Sequence, residues 1–192
     1  EGARRETSAL TDSRSKPIRV LLIEDLEVDA ERALYQLKRA GITCDWLETD
    51  TANWQASVRP NTKMLFIETP SNPGLDIIDL EAAGRFAKQN NLIFNVDNCF
   101  ATPYLQTPAK YGADIITHSA TKFIDGQGRV LGGVVVGPKD LIYQMYLFVR
   151  NTGPSMSPFN AWVLTKSLET LFLRMDKHAE NALVLAKALE NH

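Results

Sequence analysis

The run His118-Ser119-Ala120-Thr121-Lys122-Phe123 places one lysine behind two hydroxyl residues, just ahead of a glycine-rich segment from Gly126 to Gly133. Upstream, the apolar run Leu92 to Val96 ends in Asp97. A lysine becomes a Schiff-base nucleophile once desolvation or a nearby cation lowers its pKa. Pyridoxal-phosphate chemistry needs such a lysine together with a carboxylate that keeps the pyridine nitrogen protonated. It also needs hydroxyl or backbone N–H donors for the phosphate. Asp97, Lys122 and the pair Ser119/Thr121 supply those parts. The same spacing also fits an ordinary strand-to-loop turn with a surface lysine.

The elements that would position these groups alternate between strand and helix. Ile18 to Ile23 is a β-rich run ending at Glu24-Asp25; Val28, Ala30, Ala33, Leu34 and Leu37 follow at helical spacing, with Gly41 as C-cap and Thr43 to Leu47 as a second strand. Met64 to Ile67, Leu92 to Val96, Asp114 to Thr117 and Val134 to Val136 read as further strands. Leu80, Ala83, Phe86 and Ala87 form one face of a helix, and Leu105 to Tyr111 predicts a short one. From Pro158, the positions Ala161, Leu164, Leu168, Leu171, Phe172 and Met175, continued by Leu183, Leu185 and Leu189, predict one long helix or two consecutive packing helices. This alternation predicts an α/β fold with a largely parallel sheet. Functional groups in such sheets gather beyond the carboxyl ends of strands, where Asp97, Ser119 and Lys122 fall. Residues 1–16 are polar and without apolar periodicity, which predicts a disordered tail or linker.

Bulk composition narrows the function classes. The formal net charge of −2 offers no electrostatic case for nucleic acid or an anionic membrane. No apolar run has the length of a membrane span, and the N-terminus lacks the apolar core of a secretion signal. Cys44 and Cys99 form no metal-type spacing with His118, His178 and His192, so no metal site is expected. A cytoplasmic protein with free thiols is the expectation. Cys99 reads as a small buried residue, His118 as a packed, hydrogen-bonded histidine, and Arg129 and Arg150 as surface charge. Two α/β pieces would leave unpaired sheet edges, which predicts oligomerisation or aggregation.

Two resemblances add to this. Residues 17–48 (RVLLIEDLEVDAERALYQLKRAG within them) resemble the start of a response-regulator receiver domain, in which the acidic pair, here Glu24 and Asp25, helps to hold magnesium. The acceptor aspartate that the receiver family needs has no counterpart, because Met64 to Ile67 ends in Glu68. From Asp50 onward, ETPSNP at 68–73, VDNCFATPYLQ at 96–106, HSATKF at 118–123 and DGQGRVLGG at 125–133 resemble the Cys/Met-metabolism family of pyridoxal-phosphate (PLP) enzymes. TGPSMSPFNAW at 152–162 and SLETLFLRM at 167–175 extend the match. The glycine-rich string and TGPSMSPFNAW are most similar to the O-succinylhomoserine sulfhydrylase branch.

That resemblance implies part of a PLP-enzyme fold type I large domain over residues 50–192, preceded by a tail at 1–16 and a receiver-like β-α-β piece at 17–49. It implies that Lys122 carries the cofactor and moves protons between substrate carbons, that Asp97 pairs with the pyridine nitrogen, and that Ser119 and Thr121 hold the phosphate. It implies that Asn72 faces an amino-acid substrate. The implied reaction is γ-replacement on an O-succinylhomoserine-like substrate by sulfide, giving homocysteine, in a homo-oligomer. The family chain is roughly twice as long, and its stacking aromatic, phosphate loop and carboxylate-binding arginine have no match here, so impaired turnover is expected. A non-catalytic signalling or interaction module built on the receiver-like start is the competing expectation.

Overall fold

The computed structural model describes residues 19–23, 27–47, 53–190 and 192. The predicted tail, Glu24 and Asp25 lie outside the described residues. Six strands form one sheet: β1 (Arg19–Ile23), β2 (Thr43–Leu47), β3 (Thr62–Glu68), β4 (Ile93–Asp97), β5 (Ile115–Ser119) and β6 (Gly133–Val136). Their order is β2-β1-β3-β4-β5-β6, parallel except for β6, which runs antiparallel to β5. The sheet is thus unbroken across the composition change at Asp50: β1 pairs with β2 on one side and β3 on the other.

The helices are α1 (Glu27–Arg39), α2 (Trp54–Ser57), α3 (Leu80–Gln89), α4 (Thr102–Leu105), α5 (Lys139–Thr152), α6 (Pro158–Leu168) and α7 (Leu171–Leu189). A 3₁₀ turn covers Pro108–Tyr111 and a π-helical turn Ala120–Ile124. The helix expected over Leu105 to Tyr111 is therefore two short pieces, α4 and the 3₁₀ turn, each with a proline at its start, where a missing N–H costs nothing. The C-terminal pattern resolves into two helices, broken at Glu169 and Thr170.

Strand alternation sorts side chains onto two faces. Leu21 and Ile23 of β1, Leu65 and Ile67 of β3, and Phe94 and Val96 of β4 share one face and form the main core with Leu80, Ala83 and Ala87 of α3. Each of the Leu, Ile, Val and Phe side chains contributes about 1.5–3 kcal/mol by leaving water. Asp79 caps α3 by accepting from the N–H groups of Glu81 (2.9 Å) and Ala82 (3.0 Å). Trp54 of α2 is buried and meets Phe86 edge-on, with ring centroids 5.5 Å apart. A smaller cluster of Ala120, Ile124, Val130, Val163 and Leu164 fastens the π-turn to α6.

The last element departs from expectation. Leu171 and Met175 are buried, but Leu183, Leu185 and Leu189 stand exposed, so the far half of α7 packs on nothing within the described residues. α5, which the sequence pattern did not reveal, buries no side chain either.

Candidate active site

The carboxyl ends of β3, β4 and β5 lie side by side, with Glu68 opposite Asp97 and Asp97 opposite Thr117. On β4 and β5, Asn95, Asp97, Thr117 and Ser119 share the face opposite the main core. Ala120, with no exposed surface, and Ile124, also buried, anchor the π-turn that follows β5. Between them Lys122 leaves the helical conformation (φ −84°, ψ −119°), and its side chain stays exposed.

Cys99 ties the two strand ends together. Its N–H donates to Asp97 Oδ1 at 3.0 Å, and its Sγ accepts from the Ser119 N–H at 2.7 Å. Burial, with help from the neighbouring Asp97, pushes its thiol up to about 12. The thiol therefore stays protonated and serves as a hydrogen-bonded strut rather than a nucleophile. The Lys122 ammonium sits 5.5 Å from the Phe100 ring centroid, a cation–π distance. Phe100 in turn meets Phe123 edge-on at 6.4 Å, and Phe123 meets His178 at 5.5 Å, forming an aromatic wall on one side of the lysine.

Under Asp97 a fully buried Asn98 holds the exit of β4. Its N–H donates to the Thr117 carbonyl (2.9 Å), and its side-chain amide donates to the carbonyls of Thr102 (3.1 Å) and Gln106 (3.0 Å). Gln106 Nε2 donates to Asn98 Oδ1 (2.7 Å) and to the Thr69 carbonyl (2.8 Å), binding the β3 and β4 exits into one unit. Asn98 and Gln106 stand inside the quoted string at 96–106, but no spacing rule marks them. Their role appears only when three loops converge.

The other expected site residues fall as follows. Asn72 lies exposed in the loop after β3, whose neighbour Ser71 is buried and accepts from the Asp76 N–H at 2.8 Å. The Thr121 hydroxyl accepts from the Gly132 N–H (3.0 Å) and lies 3.3 Å from the Gly132 carbonyl, clamping the glycine-rich segment to the lysine turn. The Ser119 hydroxyl makes no hydrogen bond among the described residues, and so it is the freer donor of the two. His118 points to the core side, buried as expected, with a hydrogen bond to the Asn98 backbone and with Nδ1 unpartnered among the described residues. Burial lowers its pKa against the upward pull of Asp97. Arg129 is neither a free anion site nor a loose surface charge: it pairs with Asp125, which has no exposed surface.

A mostly parallel α/β sheet with a carboxylate and a lysine at adjacent strand ends defines part of a fold type I large domain. The model of the Cys/Met metabolism PLP-dependent enzymes matches residues 20–192. The chain belongs to that family. It is 49% identical over 154 residues to O-succinylhomoserine sulfhydrylase of Pseudomonas aeruginosa, covering 80% of this chain and 38% of that one. It is 38% identical over 178 residues to cystathionine beta-lyase of Coxiella burnetii, covering 90% and 46%. Among solved structures, cystathionine gamma-lyase from Lactobacillus plantarum complexed with L-serine superposes with a TM-score of 0.84 at 33% identity, over 93% of this chain and 48% of that one. The chain thus spans less than half the length of these relatives.

The receiver resemblance finds no support. The family match starts at residue 20, and β1 and β2 extend the same sheet that carries Asp97 and Lys122. A strand, an acidic strand end, a helix and a parallel strand open many α/β sheets, so the local pattern could not separate the two families.

The family's cofactor is pyridoxal 5′-phosphate, and the site fits it. Asp97 has one carboxylate oxygen engaged by the Cys99 N–H. On the same face, Thr117 Oγ1 and Asn95 Oδ1 are buried without a partner among the described residues. Buried polar atoms of this kind normally find partners, so this face is built to meet a further polar group.

Proposed function

We propose that this chain carries the cofactor half of a PLP-dependent site that performs γ-replacement on an O-succinylhomoserine-like amino acid: the Cγ–O bond breaks with succinate leaving, sulfide forms the new Cγ–S bond, and homocysteine is the product. The carrying observation is the Cys99 strut that joins Asp97 to the Ser119–Lys122 turn. The greater identity to the Pseudomonas sulfhydrylase (49%) than to the Coxiella lyase (38%) favours replacement over elimination.

Lys122 is the attachment residue, and its Nζ moves the proton between substrate carbons. Asp97 holds a proton on the pyridine nitrogen by facing it with a carboxylate. Bound, the cofactor would draw electrons away from the substrate's α-carbon. Ser119, through its free hydroxyl, and Thr121, through its already engaged one, hold the phosphate. Asn72 orients the substrate from the loop after β3. Small amino-acid substrates and a homo-oligomer of this chain belong to the same reading. So does a cytoplasmic location, with which the free thiols of Cys44 and Cys99 agree. No helix among the described residues is long and apolar enough to cross a membrane.

The test is an absorbance spectrum with added PLP, then borohydride reduction and peptide mass mapping. The expected result is a pyridoxyl group on Lys122 that is absent from Lys122→Ala. Formation of homocysteine from O-succinylhomoserine and sulfide then tests the substrate. Labelling scattered over exposed lysines such as Lys166 and Lys177 would overturn the reading.

A further inference from the structure

The string SLETLFLRM carries a residue to which the chemistry above gives no task. Arg174 reaches from the first turns of α7 to the outer side of the lysine turn. Its Nη1 donates to the Phe123 carbonyl at 2.6 Å and its Nη2 to the Ile124 carbonyl at 3.1 Å. Nη2 also donates to the Ser167 carbonyl at 3.0 Å. Within the turn, the carbonyls of Ala120 and Lys122 are taken by the N–H groups of Asp125 and Gly126, both at 2.8 Å. The guanidinium thus satisfies two carbonyls that follow Lys122, as a cation does at a helix C-terminus. Gly126 leaves room for it: a Cβ there would collide with the guanidinium, and the residue has φ +73°.

A second arginine secures the same junction. Arg129 Nε donates to Asp125 Oδ1 at 3.0 Å, and its Nη2 donates to the Ser167 hydroxyl at 2.6 Å. Ser167 is therefore a shared node, its carbonyl held by Arg174 and its hydroxyl by Arg129. Three strings that lie apart in the chain, HSATKF, DGQGRVLGG and SLETLFLRM, meet in this latch. Lys122 makes none of these contacts through its side chain and stays exposed, on a turn only five residues long.

We propose that Arg174 is a positioning residue for Lys122: gripping the turn from behind, it sets where the lysine amine lies relative to Asp97. This rests on the reading of Lys122 as the cofactor lysine. Misplacement of a reacting group by about 1 Å costs on the order of a hundredfold in rate, so a rigid backing has a direct use.

The test compares Arg174→Met, Arg174→Lys and Ser167→Ala with the unaltered chain by two readouts. One is amide hydrogen exchange of residues 121–126 without cofactor. The other is the share of PLP–borohydride labelling on Lys122 relative to Lys166 and Lys177. Arg174→Met should exchange about tenfold faster or more in the turn, with β3 and β4 unchanged, and should lose Lys122 selectivity. Arg174→Lys, which keeps the charge but cannot span three carbonyls, should fall between. Should Arg174→Met not fold, Arg174→Lys decides; Ser167→Ala, which removes Arg129's hydroxyl partner but keeps the carbonyl that Arg174 holds, is the control and should stay closer to the unaltered chain in both readouts. Unchanged exchange in the turn, or an equal rise in β3 and β4 that marks general loosening, overturns the inference. Absence of Lys122 labelling in the unaltered chain overturns the cofactor reading instead, and exchange alone then decides whether the latch holds the turn.

Discussion

His118 and Asp125 each sit where water does not reach, and each makes stability depend on pH in the same direction. Burial lowers the pKa of His118 below its ordinary 6.5. The unfolded chain then binds more protons than the native one just below that value, so stability is full above 6.5 and is lost as pH falls through the lowered native pKa. For Asp125, burial acts upward, but the N–H groups of Arg129 and Gln127 and the Arg129 guanidinium together outweigh it and hold the carboxyl below its ordinary 3.8. Its contribution is present above 3.8 and is lost in stronger acid. Thermal unfolding from about pH 7 to about pH 5 should therefore show a falling Tm, with a shallower fall in His118→Gln. An identical slope in the variant would show that His118 does not carry the effect. The sequence named His118 and Arg129 but assigned them bland roles. Tertiary packing sets the burial of His118 on the core face of β5 and the burial of Asp125, which turns a local pairing four residues from Arg129 into a buried one.

At the scale of elements, α3 illustrates why a helix interior holds a glycine. Gly84 faces the 3₁₀ turn Pro108–Tyr111, and a Cβ there would collide with the Tyr111 carbonyl. Gly→Ala in a helix normally stabilises by about 0.5–1 kcal/mol. Here the sign reverses, because a backbone carbonyl cannot step aside as a flexible side-chain end can. Gly84→Ala should lose about 1–3 kcal/mol, read as a lower urea midpoint with unchanged slope; a midpoint at or above that of the unaltered chain would contradict the packing argument. β3 and α3 were legible because each buries one face, which stamps a period on the sequence, and β1 and β4 because they are short apolar runs buried on both faces. α5 was not: Leu141, Ile142, Tyr143, Met145, Tyr146, Leu147, Phe148 and Val149 make a nearly continuous apolar run in which no helical face stands out.

For the whole molecule, the unpartnered surface of that same helix matters. Tyr143, Tyr146 and Phe148 of α5 and Phe159 and Trp162 of α6 are all exposed. Tyr143 stacks on Tyr146 and Phe159 lies against Trp162, so each helix exposes an aromatic pair of the kind an interaction surface uses, and the proposed homo-oligomer would bury them. Light scattering behind size exclusion should give a mass above the 21.4 kDa monomer, and Tyr146→Asp with Trp162→Asp should shift it toward monomer. A monomer before mutation would count against self-association.

By itself the sequence determined which groups can do chemistry and in what kind of framework. The residue types in HSATKF and VDNCFATPYLQ supply a lysine, a carboxylate and hydroxyl groups, and the alternating periods specify an α/β sheet, because element type follows from local composition and spacing. Only the tertiary structure decided how those parts are joined. It inserted β1 between β2 and β3, which removed the apparent boundary near Asp50 as a break in the sheet. It engaged Thr121 with Gly132, made Cys99 the strut between two strand ends, and brought Arg174 behind Lys122. Each of these is a contact between segments distant in the chain, and such contacts arise from the global packing of the sheet and its helices, which no local period encodes.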